Sequence, residues 1–156
     1  MNKKVKIMNI KNMTSVITKT EQSASTLPLR LIAGILFMAH GAQKLFSWFG
    51  GYGLEGTGQW MESIGLTPGY LMALMAGSVE FIGGILLIIG LLTRPTSFVL
   101  AITMIVAIFT VHIDNGLFMA TNGYEFALTL VAISISLMFS GAGKLSLDSA
   151  VAERLA

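Results

Sequence analysis

Residues 70–92 read YLMALMAGSVEFIGGILLIIGLL, a run in which Glu80 is the one charged side chain. About 20 mainly apolar residues suffice to cross the hydrocarbon core of a bilayer as a helix. The run is long enough, and its reading as a membrane span sets the reading of everything around it. Three further stretches qualify on the same ground: Leu27 to Phe46, Thr96 to Ile113 and Tyr124 to Ser140. The expected fold is all-α, an integral membrane four-helix bundle.

Composition agrees. Apolar residues make up 54% of the 156-residue chain and charged residues 12%, against roughly a quarter charged in soluble domains. A soluble domain of this length could not cover its exterior with so few charges, so lipid is the expected solvent. The organisation that follows is a polar, basic, disordered tail over residues 1–26, a membrane domain over 27–141 and a C-terminal tail over 142–156. Span one is read as uncleaved, because Ser47, Trp48 and Phe49 follow it in place of a small-residue cleavage site.

Basic residues set the orientation. Lys3, Lys4, Lys6, Lys11 and Lys19 precede span one, Arg94 lies between spans two and three, and Lys144 and Arg154 follow span four. The loops 47–69 and 114–123 contain no lysine or arginine. Cytoplasmic loops carry the lysine and arginine excess, so both termini are expected in the cytoplasm of a multi-pass inner-membrane protein. The basic tail lacks the interleaved aromatics of a nucleic-acid binder. Trp48, Phe49, Tyr52 and Trp60 read as an interfacial belt on the opposite side. Between spans one and two, Thr57 is expected to cap a short surface helix ending at Gly65.

Ionisable groups inside a span are costly and by default face the interior of a bundle. The candidates are His40, Lys44, Glu80, His112 and Glu125, with Asp114 at a helix mouth. At 1.5 Å per residue, His40 and Glu80 lie about 18 Å from the cytoplasmic helix ends, and Lys44, His112 and Glu125 about 24–26 Å. All five are therefore expected in the outer half of the bundle. His40 and Lys44 share one helical stripe with Phe37 and Gly41. Glu80 shares one with Ala73, Gly77 and Gly84, small residues that permit close packing. Glu125 continues through Thr129, Ala132 and Ser136. Each group has a plainer reading: Lys44 snorkelling to the surface, His112 and Asp114 as loop or capping residues, Glu125 favoured by a helix dipole, Glu80 in a structural hydrogen bond. Arg30 and Arg94 read as topology signals that bind headgroups or helix C-terminal carbonyls.

Other signals fall away. The chain has no cysteine, so thiol and iron–sulfur chemistry must belong to a partner. Gly51-Tyr52-Gly53-Leu54-Glu55-Gly56 matches a dinucleotide motif by letter but lacks a βαβ context and is read as a loop. His40 and His112 differ in depth by about 7 Å, unlike paired haem ligands. No close His–carboxylate pair supports a metal site.

The combination of RLIAGILFMAHGAQKLF (30–46), VEFIGGILLIIGLLTRP (79–95), His112, Gly123, Glu125 and GAGKLSLD (141–148) resembles the DoxX family of small bacterial inner-membrane proteins. The resemblance runs from Pro28 to Asp148, and departs where Ala142 stands in place of a frequent proline. It implies a four-helix membrane fold and, at most, an oxidoreductase subunit, since related subunits serve quinone-coupled thiosulfate oxidation and others are scaffolds for stress and sulfur-transfer enzymes. The leading expectation is a quinone-linked redox subunit or accessory factor, with a quinone headgroup near His40, Lys44, Glu80, His112 and Glu125. In it, Glu80 or His40 relays protons and Lys44 stabilises the reduced oxyanion. Partners are the bilayer, a redox protein and further copies of the chain. The alternatives are a non-catalytic scaffold for redox enzymes and a small-solute or proton pathway.

Overall fold

The computed structural model describes residues 23–155. They are all-α, with no strand among the described residues. Helix α1 spans Leu27–Phe46, α2 Gly53–Ser63, α3 Gly69–Ile89, α4 Thr93–Ala107, α5 Glu125–Ser140 and α6 Leu147–Leu155. A π turn at Ile108–His112 and a tight turn at Ile113–Asn115 prolong α4. Of these helices, α3 and α4 with its prolongation are long and apolar enough to cross a bilayer. Helix α1 has the length but carries Arg30, His40, Gln43 and Lys44, and α5 is shorter.

Around the fold, α1 packs on α3, α3 on α4, α4 on α5, and α5 returns to α1. The α1–α3 seam is glycine-lined on both sides. A Cβ on Gly41 would fall 2.7 Å from the Gly77 carbonyl oxygen, and one on Gly34 would fall 2.8 Å from that of Gly84. Such backbone approach is how small residues hold helices together where lipid removes the hydrophobic drive. Phe37, Leu87, Leu100, Leu130 and Leu137 fill the centre. Outward faces are apolar too: Ile32, Ile35, Ile82, Phe98 and Phe139 are exposed.

Helix ends follow local chemistry. Gly90 ends α3 in the left-handed region at φ +67°, where its N–H bonds Leu87 O and the N–H of Leu91 bonds Leu86 O. The Arg30 guanidinium lies directly against Gly90, so a side chain would fit neither the angle nor the space.

Several expectations need revision. Helix α2 begins at Gly53, so the second half of the glycine motif is helical. Tyr52 occupies its N-cap, and Thr57 is buried inside it. Most of the expected disordered tail lies outside the described residues, but Ser23–Thr26 are held: Lys144 N–H donates to Ser23 O and Thr26 Oγ1 to Ala142 O. Residues after 140 do not hang free either, since Ala142, Asp148 and Ser149 are buried.

Candidate functional site

The seam between α1 and α3 carries the site. The pairing of Gly34 with Gly84 and of Gly41 with Gly77 and Phe81 puts Glu80 at the level of His40. Lys44 starts one turn further out, and its four-carbon stem leans back along the seam. Its Nζ lies 2.6 Å from Glu80 Oε2. The Glu80 side chain is 4% exposed and that of Lys44 24%, so the carboxylate is enclosed while the ammonium keeps one open side. A buried carboxylate without such a partner carries a large desolvation cost. His40, half-buried, turns its ring toward α5, with its centroid 5.6 Å from that of Phe126.

His112 and Glu125 are engaged elsewhere. His112 Nδ1 lies 2.8 Å from Asn122 O. Glu125 accepts the Met119 N–H at 2.5 Å, bracing the loop before its own helix. The stripe expected to carry Glu125 into the interior points outward, because Thr129, Ala132 and Ser136 are exposed while Ala127, Leu130, Val131, Ser134 and Leu137 are buried. The structure thus joins Lys44 to Glu80, leaves His40 one helical turn from Lys44 with its ring on Phe126, and assigns His112 and Glu125 to a loop framework. Asp114 stays in the turn after α4.

A second polar cluster, at the opposite end, was not foreseen as a unit. Arg30 is 2% exposed and Asp148 1%. The Asp148 carboxylate accepts the N–H groups of Leu92 at 2.8 Å and Thr93 at 2.9 Å, capping α4 from 55 residues away. Its own N–H donates to Gly90 O at 2.9 Å. Arg30 donates to Ile88 O at 3.4 Å and to Leu145 O. Of the two roles considered for Arg30, this is the bonding of helix C-terminal carbonyls. The cluster ties α1, the α3–α4 turn and the C-terminal segment into one knot. Its signal in the sequence was the motif GAGKLSLD, whose partners only the fold reveals.

The DoxX family profile matches residues 25–113, more than half of the chain, and the matched region holds Arg30, His40, Lys44 and Glu80. The chain belongs to the DoxX family. Among DoxX-type relatives, it is 40% identical over 123 residues to a Bacillus subtilis protein named "Putative oxidoreductase CatD", covering 79% of this chain and 84% of the relative. Identity to "Uncharacterized membrane protein Rv3486" of Mycobacterium tuberculosis is 31%, covering 86% and 85%. Identity to "Inner membrane protein YqjF" of Escherichia coli is 30%, covering 83% and 94%. No solved structure matches this DoxX chain. The DoxX assignment makes it a membrane protein, in contact with lipid.

Proposed function

We infer that this protein crosses the inner membrane four times with both termini in the cytoplasm, and that it is a quinone-linked redox subunit or accessory factor. The observation that carries the redox reading is the contact between Lys44 and Glu80 in an otherwise apolar seam. Orientation rests on Arg94, Lys144 and Arg154 gathering at the end that buries Arg30 and Asp148, while the aromatic residues Trp48, Phe49, Tyr52 and Trp60 are exposed at the other. The names of the Escherichia coli and Bacillus subtilis relatives support the location and the redox class.

The residues present suit a quinone headgroup. Lys44 offers a cation with one open side, Glu80 a carboxyl group, His40 an imidazole, and Phe126 a ring beside it. A bound quinone supplies two-electron, two-proton chemistry in a lipid-soluble form. In this reading Lys44 would hold a quinone oxygen, Glu80 or His40 would carry the proton, and Phe126 would offer an apolar face to the headgroup. Electrons enter from a partner or a substrate, since no cysteine is available to hold an iron–sulfur cluster.

Mass spectrometry of the lipid extract from protein purified in mild detergent tests this. Near-stoichiometric quinone is expected, falling at least tenfold in Lys44→Met and Glu80→Gln. Quinone absent from the wild type, or undiminished in both variants, overturns the reading. The glycine-lined setting of the pair favours a second one, in which Lys44 and Glu80 only fix helix packing in a scaffold. That reading is selected if no quinone is retained and Glu80→Gln still recovers redox partners.

A further inference from the structure

Helix α6 turns its polar side inward and its apolar side out. Asp148 and Ser149 are buried against the fold, while Leu147 and Ala150 are exposed and Val151 is half-buried. Asp148 fixes this facing, because its carboxylate is committed to the N–H groups of Leu92 and Thr93 and its own N–H to Gly90 O. Leu147, Ala150, Val151 and Arg154 follow at i, i+3, i+4 and i+7, one stripe along the helix. With Leu91, from the turn after α3, they line a groove of about 170 Å³. Leu92 and Leu145 are exposed as well. Polar residues buried beneath an exposed apolar stripe suit a helix whose outer surroundings are not water.

Helix α3, long and apolar enough to cross a bilayer, ends at Ile89, two residues before Leu91. The groove therefore opens at the height where that helix would leave the hydrocarbon. It is smaller than the roughly 300–1,000 Å³ pockets that enclose a whole ligand, so it suits one part of a molecule whose remainder lies in the bilayer.

Charge selects the molecule. Arg154 itself lines the groove. Its side chain is exposed and has no ion-pair or hydrogen-bond partner among the described residues. Glu153 lies about 120° round the helix from the centre of the stripe, and Asp148 is enclosed in its cap. A planar guanidinium can hold a phosphate by two parallel N–H···O bonds. We propose that this groove binds the headgroup end of one anionic phospholipid, with the phosphate on Arg154 and the glycerol and upper acyl carbons against Leu91, Leu147 and Val151. A soluble anion would use the arginine and leave the leucines idle, and a zwitterionic lipid would bring its own cation to Arg154. The site lies at the opposite end of the fold from Lys44 and Glu80, and stands whether or not that pair binds quinone.

Because the chain has no cysteine, a fluorophore on Ala150→Cys reports on this groove alone. The full chain is placed in nanodiscs of phosphatidylcholine and phosphatidylglycerol, with a nitroxide near the glycerol of one lipid or the other. Quenching is expected to favour phosphatidylglycerol about fivefold, the factor for about 1 kcal/mol per basic residue at a membrane surface. Arg154→Gln is expected to bring that preference close to one while quenching persists. Lys144→Gln, at the same end but outside the groove, is expected to leave it unchanged. Equal quenching by the two lipids in the chain that keeps Arg154 overturns the proposal, as does no quenching by either. So does the same loss of preference in Lys144→Gln and Arg154→Gln, the mark of diffuse surface charge. Shielding of the fluorophore that persists in lipid-free detergent and falls on dilution overturns it too, since a second copy would then cover the stripe.

Discussion

Lys44 and Glu80 meet at 2.6 Å although their helical positions differ by a full turn in depth. The lysine crosses that turn by pointing away from the nearer surface, where a side chain seeking water would go. The contact therefore has to repay the loss of hydration, and it does so only as a pair.

Removing one member should thus cost more than removing both. Lys44→Met leaves the carboxylate of Glu80 enclosed without a partner, and a loss of about 3–5 kcal/mol is expected. The double variant Lys44→Met/Glu80→Met should recover most of it. Unfolding in detergent for the two single variants and the double variant gives the coupling energy. A double variant as unstable as the sum of the singles would show that the two residues act independently.

Two neighbouring glycines should respond differently to alanine. At Gly84 the added Cβ would meet backbone, the Gly34 carbonyl oxygen at 2.5 Å, which cannot yield without parting α1 from α3. At Gly83 it would meet the Leu100 side chain at 3.1 Å, which can turn aside. Gly84→Ala is expected to cost about 1–3 kcal/mol as overpacking. For Gly83→Ala, the helix propensity gained over glycine, about 1 kcal/mol, offsets most of the strain. Melting temperatures of the two variants should separate clearly, with Gly84→Ala the lower.

Asp148 should behave as a core residue despite lying near the end of the sequence. Asp148→Asn keeps one acceptor oxygen and is expected to lose about 1–2 kcal/mol, the scale of a helix cap. Asp148→Ala leaves the N–H groups of both Leu92 and Thr93 without an acceptor, at about 1–3 kcal/mol each, and is expected to lose more. Proteolysis of the α3–α4 turn, around Gly90 to Thr93, should accelerate in the same order. Unchanged protection in Asp148→Ala would contradict the role assigned to the knot.

Because the chain has no cysteine, single replacements report which side of the membrane a residue faces. Tyr52 is 83% exposed and Met119 59%. Tyr52→Cys and Met119→Cys should react with an impermeant maleimide on intact spheroplasts. Lys144→Cys should react only after the membrane is opened. Labelling of Lys144→Cys from outside would reverse the proposed orientation.

The membrane-capable helices α3 and α4 were readable because a bilayer imposes length and composition over whole helices, and residues 70–92 meet both demands. Helix α1 was predicted to the residue, Pro28 and the aromatic run after Phe46 marking its ends. Depth counting brought Lys44 within a side chain's reach of Glu80, yet the same counting failed for His112 and Glu125. It treats helices as straight rods, and the π turn at Ile108–His112 and the turns beyond it redirect the chain. Facing was the other gap. Glu125 sits at the start of α5, where loop N–H groups compete for its carboxylate, and no periodicity predicts which will win. The Arg30–Asp148 knot escaped because a cap is recognised by local spacing, whereas this carboxylate reaches its helix from 55 residues downstream.

That remote cap sets an order on synthesis. A ribosome adds roughly 5–20 residues per second, so Asp148 emerges about 3–11 s after Thr93 on that scale. Throughout the interval the α3–α4 hairpin must remain in the bilayer with the start of α4 unsealed, while α5 is still being made. Docking of the C-terminal segment then closes this end of the fold, and a nascent chain halted before it would leave an inserted but unlocked protein for membrane proteases to find.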